Sequence, residues 1–245
     1  MTGARIVAGV DGCRGGWVAV TLDRDRPEAP KVRTYARAAD IVDDLPETTV
    51  LAIDMPIGLR DHTGPGGRGP ERAVRPLLGM RQSSVFSVPS RAAVYETDYR
   101  EACRVAMETS DPPRKVSKQC FHLFDKIREL DGLLIERPEL IVRVHETHPE
   151  VAFWRLNGER AMTHPKKVKS ALAQAGLRER RALLEGRGLP ASLFDAPRLP
   201  GVGADDLLDA AANVLIACRI ADGAAEPFPA PLEHDARGLP IAIWV

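Results

Sequence analysis

A chain of 245 residues is long enough for one large hydrophobic core or for two small ones. Lys and Arg together number 34, as do Asp and Glu, so the net charge gives no reason to expect a nucleic-acid partner, and any basic surface must be local. The aromatic content of 5% argues against a single-strand binder built mainly on base stacking.

The cysteines and the apolar runs predict a cytoplasmic protein without a membrane span. The two closest of the four cysteines, Cys103 and Cys120, are too far apart for a C-x-x-C zinc or redox unit. We therefore expect reduced, mostly buried thiols. No apolar run approaches the roughly 20 residues of a membrane helix, and no signal-peptide pattern precedes the first predicted strand.

The first sixty residues have the pattern of a mixed α/β sheet. Short apolar or alternating segments predict four strands, with a helix before the fourth. The strands are expected at 6–10, 17–22, 31–36 and 49–59, and the helix at 38–45. Three antiparallel strands, a helix and a strand parallel to the first indicate a mixed sheet flanked by helices.

Residues 60–139 interrupt this pattern. The segment 60–90 is rich in Gly, Pro, Arg and Ser and has no sustained period, and a loop of this length in a compact domain is usually functional or mobile. Helices are predicted at about 99–109 and 117–131. We therefore predict one domain over 1–245, with a helical and loop insertion at about 60–139.

Strand character returns at 140–146, and the remaining chain is predicted to be mainly helical. Helices are expected at about 149–157, from the beginning of the segment KKVKSALAQAG onward, and over 204–223, where Gly223 closes the helix. The segment PIAIWV, after the turn HDARG, predicts a last edge strand.

Three apolar strands end on an acid, at Asp11, Asp54 and Glu146. One such acid is commonly a turn or cap residue. Three together favour a shared site, because chemistry in open α/β sheets collects beyond the carboxyl ends of strands. Thr147 and Glu150 fit a capping box, which gives Glu150 a structural role and leaves Glu146 without one.

Two further acids, Asp206 and Asp209, lie three residues apart on one face of the last helix. Asp205 is expected to be its N-cap. The helix is apolar nearly all round and should be buried, so Asp209 needs a partner. That partner is a metal cation, Arg219 or a local lysine.

If these acids converge, their repulsion raises some of their pKa values unless a positive charge lies among them. Carboxylates are ligands that Mg²⁺ prefers. We predict a Mg²⁺ or Mn²⁺ site at Asp11, Asp54, Glu146 and Asp209, with Asp206 as a further catalytic candidate. Two such ions about 4 Å apart would activate a water and stabilise the leaving oxygen in phosphodiester cleavage.

Basic and hydroxyl side chains in the loops are candidates for substrate phosphate contacts. Any one of them is more often part of a solvated surface, but together they favour a phosphate-bearing substrate. The candidates are Arg81, Ser83, Ser84, Arg91, Lys118 and Lys166.

Five segments together resemble an uncharacterised bacterial and archaeal family of predicted ribonuclease-H-like nucleases. They are GVDGCRGGW, AIDMPIGL, GMRQSSVFSVPSR, VHETHPEVAFWRLNG and ADDLLDAAANVL, and they cover nearly the whole chain. The wider superfamily, which includes Holliday-junction resolvases, implies a β-β-β-α-β core with acids on the first and fourth strands and on a terminal helix. Asp11, Asp54 and the Asp206/Asp209 pair match those positions. Glu146 matches only the narrower family.

The leading hypothesis is a metal-dependent nuclease acting on RNA or DNA. The first alternative is an actin-like ATP-binding phosphotransferase, although such enzymes normally duplicate the core and 245 residues leave little room for that. The second is a non-catalytic nucleotide-binding or protein-binding module in which the acids are structural.

Overall fold

The computed structural model describes residues 3–169 and 171–245. Its centre is a five-stranded sheet with the order β3-β2-β1-β4-β5. The strands are β1 (Ile6–Cys13), β2 (Gly16–Asp23), β3 (Lys31–Tyr35), β4 (Val50–Ile53) and β5 (Val144–Glu146). β1 is antiparallel to β2 and parallel to β4, and β4 is parallel to β5. The predicted mixed α/β sheet is confirmed, and it is compatible with a ribonuclease-H-like fold.

Ten α-helices connect and flank these strands within the described residues. They are α1 (Ala38–Asp44), α2 (Gly69–Val74), α3 (Arg91–Val94), α4 (Tyr99–Glu108), α5 (Lys118–Phe121), α6 (Phe124–Glu136), α7 (Pro149–Leu156), α8 (Gln174–Gly186), α9 (Ser192–Asp195) and α10 (Ala204–Ala221). Two 3₁₀ helices span Arg75–Ser84 and Pro138–Val142. Two hairpins complete the fold, β6 (Lys167–Val168) with β7 (Ala171–Leu172), and β8 (Pro227–His234) with β9 (Pro240–Trp244). No helix in the described part of the chain is long and apolar enough to cross a bilayer.

The sheet separates two hydrophobic cores, because successive side chains of a strand point to opposite faces. Val7 of β1 packs with α7, α8 and α10, whereas Ala8 and Val10 pack with α1, α4 and α6. The helices of residues 60–139 therefore share a core with β1 and β4. That this segment is an insertion in a single domain stays a prediction.

Several predicted bounds were wrong. β1 continues through Asp11 because Asp11 still pairs with Val18 of β2, and β4 ends earlier than predicted, at Ile53. The segment 117–131 is broken into α5 and α6, and residues 140–142 are 3₁₀ helix before the short β5.

Two errors near the C-terminus have clear physical causes. The predicted helix from KKVKSALAQAG is a hairpin up to Leu172, where Lys169 takes a φ of 48° that an α-helix does not allow. The predicted last strand is present as β9, and it pairs with β8 in a sheet separate from the main one. β8 was not predicted because its three prolines are atypical of strands.

The long helix α10 lies directly against β1 at Gly9. A Cβ atom at Gly9 would come within 2.0 Å of the Val214 backbone nitrogen and 2.2 Å of the Ala210 carbonyl oxygen. One turn of the helix is also tied to the strand, because Asn213 Nδ2 donates a hydrogen bond to the Val10 carbonyl at 2.9 Å. The missing side chain at Gly9 thus sets the distance between α10 and β1.

Gly9→Ala should therefore destabilise the protein by about 1–3 kcal/mol, the usual cost of forcing extra volume into a packed interior. The measurement is urea unfolding. Gly132→Ala is the matched control, because a Cβ at Gly132 in α6 meets nothing within 4 Å and alanine favours a helix by up to about 1 kcal/mol. Equal stability of the two variants would show that the α10 contact is not tight.

Candidate active site at the ends of β1 and β4

A cavity of about 640 Å³ lies beyond the carboxyl ends of β1, β4 and β5. Three of the predicted acids, Asp11, Asp54 and Glu146, line it. The Arg75–Ser84 helix, the start of α7 and the segment before β6 form its other walls. This is the position at which open α/β sheets bind ligands.

Asp11 and Asp54 are brought together by the parallel pairing of β1 and β4. The Asp54 backbone N–H donates to the Val10 carbonyl at 2.9 Å, which keeps Asp54 beside β1 after β4 has ended. Asp11 Oδ1 accepts the Gly12 N–H at 2.7 Å. The two carboxyl groups are close enough for each to shift the pKa of the other.

Asp209 of α10 joins this pair from the helical side. Its side chain is buried, and its Oδ2 is bound to the Lys166 ammonium group. Its other oxygen, Oδ1, is buried and has no hydrogen-bond partner among the residues described. Of the partners considered from the sequence, a local lysine is the one found.

Burial is the main cause of the perturbed acidity of these three carboxyls. It raises the pKa of Asp54 to about 7 and that of Asp209 to about 6. Burial and the charges of Asp54 and Asp209 raise the pKa of Asp11 well above its ordinary value. Lys166 lowers all three pKa values. Burial lowers the pKa of Lys166 itself, but Asp209 and Glu150 raise it more, so the ammonium stays charged.

Glu146 has a partner that the sequence did not reveal. Its carboxylate accepts hydrogen bonds from Arg68 Nη2 at 2.6 Å and from the Ile57 N–H at 2.7 Å. Arg68 Nε also donates to Glu71 at 2.8 Å, and all three charged side chains are buried. Burial raises the pKa of Glu146 to about 7, and Arg68 opposes the rise. This geometry favours a structural role for Glu146, and its role as a metal ligand stays a prediction.

The capping box expected at Thr147 and Glu150 is wrong. The N-cap of α7 is His148, whose Nδ1 accepts the Glu150 N–H at 3.2 Å, and Thr147 Oγ1 donates to the Trp244 carbonyl at 3.1 Å. Glu150 instead accepts two hydrogen bonds from Arg180 Nη2, at 2.7 and 2.8 Å. A structural role for Glu150 is thus supported, with a different partner.

The start of α10 also differs from the prediction. The N-cap is Gly203 and not Asp205, whose carboxylate lies 2.6 Å from Lys167 Nζ. Asp206 Oδ2 accepts the Gly203 N–H at 2.9 Å, so this carboxylate closes the first turn of the helix. Its charge still contributes to the raised pKa of Asp11. A catalytic role for Asp206 stays a prediction.

Four of the six predicted substrate contacts line the cavity, and two do not. Arg81, Ser83, Ser84 and Lys166 line it, although the Ser84 hydroxyl also donates to the Arg81 carbonyl at 2.8 Å. These four remain candidates for phosphate contact.

Arg91 and Lys118 are not among the residues that line the cavity. Arg91 Nη2 donates to Asp131 at 2.8 Å and to Asp235 at 2.7 Å. Lys118 Nζ lies 6.0 Å from the centre of the Tyr99 ring. This placement favours a structural role for Arg91, whose donors are occupied by carboxylates, and gives Lys118 no contact with the site.

The sequence prediction missed His148 and Arg68 as cavity-lining residues. Burial lowers the pKa of His148 to about 4, so its ring is neutral. Because Nδ1 accepts a hydrogen bond, Nε2 carries the proton, and it lies 3.4 Å from the Ser84 carbonyl. His148 thus links α7 to the loop of Ser83 and Ser84. Its position two residues after Glu146, just beyond a strand end, was the available signal.

The oxygen atoms available in the cavity suit one hard cation held by a few carboxylates better than an ion enclosed entirely by protein ligands. Across residues 3–169 and 171–245, no group of three or more His, Cys, Asp or Glu side chains is arranged to hold a metal ion. Lys166 binds Asp209, and Arg68 binds Glu146. The neighbouring carboxyls of Asp11 and Asp54, which line the cavity, and the unpartnered Asp209 Oδ1 are the oxygens that fit a divalent ion.

A family model described as "Protein of unknown function (DUF429)" matches residues 9–234, which is nearly the whole chain. No curated protein and no solved structure matches the chain. The family description assigns no activity, so function has to be argued from the cavity and its side chains.

The raised pKa values predict that stability depends on pH when no divalent ion is present. Asp54 and Asp209, with pKa values of about 7 and about 6, hold a proton more tightly in the folded protein than in the unfolded chain. Their contribution to the free energy of unfolding is therefore complete below about pH 4 and is lost as the pH rises through about 6 to 7.

Asp54→Asn cannot titrate at this position, so its loss of stability between about pH 5 and about pH 8 should be smaller than that of the wild type. Urea unfolding across this range, with a chelator present, measures the difference. Asp125→Asn, at a side chain that is 90% exposed, should keep the wild-type slope. A wild-type slope in Asp54→Asn would contradict the raised pKa.

Arg68→Met should destabilise the protein by about 3–5 kcal/mol, because it leaves Glu71 and Glu146 buried without their positive partner. Arg104→Met is the control, since Arg104 makes exposed ion pairs with Glu101 and Glu108 whose loss costs about 1 kcal/mol or less. Chemical denaturation at neutral pH measures both. A small loss for Arg68→Met would mean that the buried triad is not stabilising.

Proposed function

We propose that this chain, which belongs to the DUF429 family of proteins of unknown function, is a metal-dependent phosphodiesterase that hydrolyses RNA or DNA in the cytoplasm. The observation that carries the proposal is a group of three acids: Asp11 and Asp54 line one cavity, and Asp209, whose charge raises the pKa of both, is buried with its Oδ1 unpartnered. Burying a carboxylate oxygen without a hydrogen-bond partner costs free energy, so a further cation or donor is expected at this oxygen.

Mg²⁺ or Mn²⁺ is the cation that this donor set fits, with Asp11 and Asp54 as its ligands. A divalent ion there supplies a Lewis acid that polarises a phosphodiester and stabilises the charge developing on its oxygens. A zinc site is not favoured, because the cavity offers mainly carboxylate oxygens, with one cysteine, Cys13, and one histidine, His148, whose Nδ1 is already hydrogen-bonded.

Side chains around the acids give the cavity donors for phosphate. Arg81 and Ser83 lie on one wall and Lys166 on the other, so a backbone phosphate between them would meet positive charge on two sides. The net charge of zero excludes only a generally basic surface, so it is compatible with this local group of positive side chains.

The non-catalytic alternative explains some of the acids but not all of them. Glu146 and Glu150 are satisfied by Arg68 and Arg180, as a structural role requires. The charge of Asp54 instead raises the pKa of Asp11, and a bound divalent cation would favour the ionised forms of both. No specific contact favours the actin-like phosphotransferase.

Cleavage of labelled four-way-junction DNA, duplex DNA and structured RNA, with Mg²⁺ or Mn²⁺ and with a chelator, tests the proposal. We expect metal-dependent cleavage of at least one substrate by the wild type. Asp11→Asn and Asp54→Asn should reduce it to the level of a sample without protein, because each removes a negative ligand from the ion.

Asp125→Asn serves as the control, because it makes the same chemical change at an exposed position of α6. It should cleave like the wild type. Cleavage that persists in Asp11→Asn, or that needs no divalent ion, would overturn the proposed function.

A further inference from the structure

We infer that the site holds a single divalent ion, between Asp11 and Asp54, and that the Lys166 ammonium takes the place of a second ion beside Asp209. The inference rests on the proposed function and deepens it, since it specifies one metal ion and one lysine in place of the two-ion arrangement that the sequence suggested. Lys166 would then be a residue that binds the substrate phosphate directly.

The position of Lys166 is that of a cation in the acid site. Its ammonium is bound to Asp209 Oδ2, and its side chain lines the cavity together with Asp11 and Asp54. A lysine ammonium has three N–H donors, and only one is needed for Asp209. The others are available to a phosphate oxygen in the cavity, which is the contact a second metal ion would otherwise supply.

The segment that carries Lys166 is held tightly on its N-terminal side. The Pro165 carbonyl packs against α8 so closely that a Cβ atom at Gly176 would come within 2.0 Å of its oxygen. Arg180 Nη1 donates to the His164 carbonyl at 2.9 Å, and Glu179 accepts the Thr163 and His164 N–H groups at 2.8 Å each. These contacts fix the backbone leading to Lys166.

The same segment is also held on the C-terminal side of Lys166, and the arginine that binds it, Arg180, is fixed in turn. The Ala173 N–H donates to the Lys166 carbonyl at 2.8 Å, at the open end of the β6–β7 hairpin. Arg180 is itself fixed by the buried Glu150, which α7 places under the cavity. A lysine on so constrained a backbone is a fixed part of the site and not a surface side chain that happens to reach it.

The charges of the site match one divalent ion. When a divalent ion displaces the protons of Asp11, Asp54 and Asp209, the three carboxylates carry three negative charges and Lys166 supplies one positive charge. The two charges that remain are those of one divalent cation. Two divalent ions beside Lys166 would leave an excess of positive charge in a buried site, which is as costly as the excess of negative charge.

The stoichiometry of Mn²⁺ binding to the full chain tests the inference without reference to activity. Titration calorimetry at pH 8, supported by counting free Mn²⁺ by electron paramagnetic resonance, should give one ion per wild-type chain. Lys166→Met keeps the length of the side chain and removes its charge, so it should bind two ions. Lys166→Arg keeps the charge and should bind one.

Lys167→Met is the matched control, because Lys167 neighbours Lys166 on the same segment but pairs with Asp205 and is half exposed. It should bind one ion. Since Lys166→Met leaves Asp209 buried without a charge partner, its folding is checked by circular dichroism. The wild-type stoichiometry decides the question even if this variant does not fold.

The possible outcomes separate the two proposals. Two ions in the wild type, or one ion in a folded Lys166→Met variant, would overturn the single-ion inference and leave the nuclease proposal standing. One ion in the wild type, lost in Asp11→Asn and joined by a second in Lys166→Met, supports it. A wild type that binds no Mn²⁺ and cleaves nothing would overturn the proposed function, and this inference with it.

Discussion

Three neighbouring carboxylates, two of them buried and one half-buried, are the constraint on which the site depends. Asp11, Asp54 and Asp209 come from β1, β4 and α10, and burial and mutual repulsion favour their protonated forms. The positive charge of Lys166 opposes their protonation, and Lys166 is distant from all three acids in sequence. The β6–β7 hairpin and the start of α8, which hold Lys166 in place, are therefore part of the site although they contribute no acid.

The close contact of α10 with β1 makes this meeting possible. Only a glycine at position 9 allows the helix backbone to touch the strand, and Asn213 then binds the Val10 carbonyl, directly before Asp11. Asp209 lies one turn earlier on the same face of the helix and reaches the strand ends. A larger side chain at Gly9 would move the helix outward and separate Asp209 from Asp11 and Asp54. Core packing and site geometry are thus set by one residue.

The central sheet and three of the acids could be predicted from the sequence, because they depend on local patterns. Apolar strands that stop at Asp11 and Asp54 place these acids at one edge of a parallel pair, and the nearly all-apolar α10 implies a buried Asp209 that needs a partner. The partner of Glu146 could not be predicted, since Arg68 lies 78 positions away and only the folded chain brings them together. The β6–β7 turn depends on one positive φ at Lys169, which no periodicity reveals.

The choice of cation separates the structural acids from those of the site. Glu146, Glu150 and Asp131 are buried and are each bound by an arginine, at Arg68, Arg180 and Arg91. A guanidinium is always charged, and its rigid fork donates several hydrogen bonds, so Arg68 and Arg91 each bind two carboxylates and Arg180 binds both oxygens of Glu150. Asp209 is bound by a lysine, a point charge on a flexible stem, which leaves Oδ1 unpartnered and its own remaining donors free. An arginine in the place of Lys166 would have two arms for the two oxygens of Asp209 and would keep the positive charge, but it would have fewer donors left for a phosphate. In the proposed nuclease, the lysine would pair with one oxygen of Asp209 and keep its other donors for the substrate.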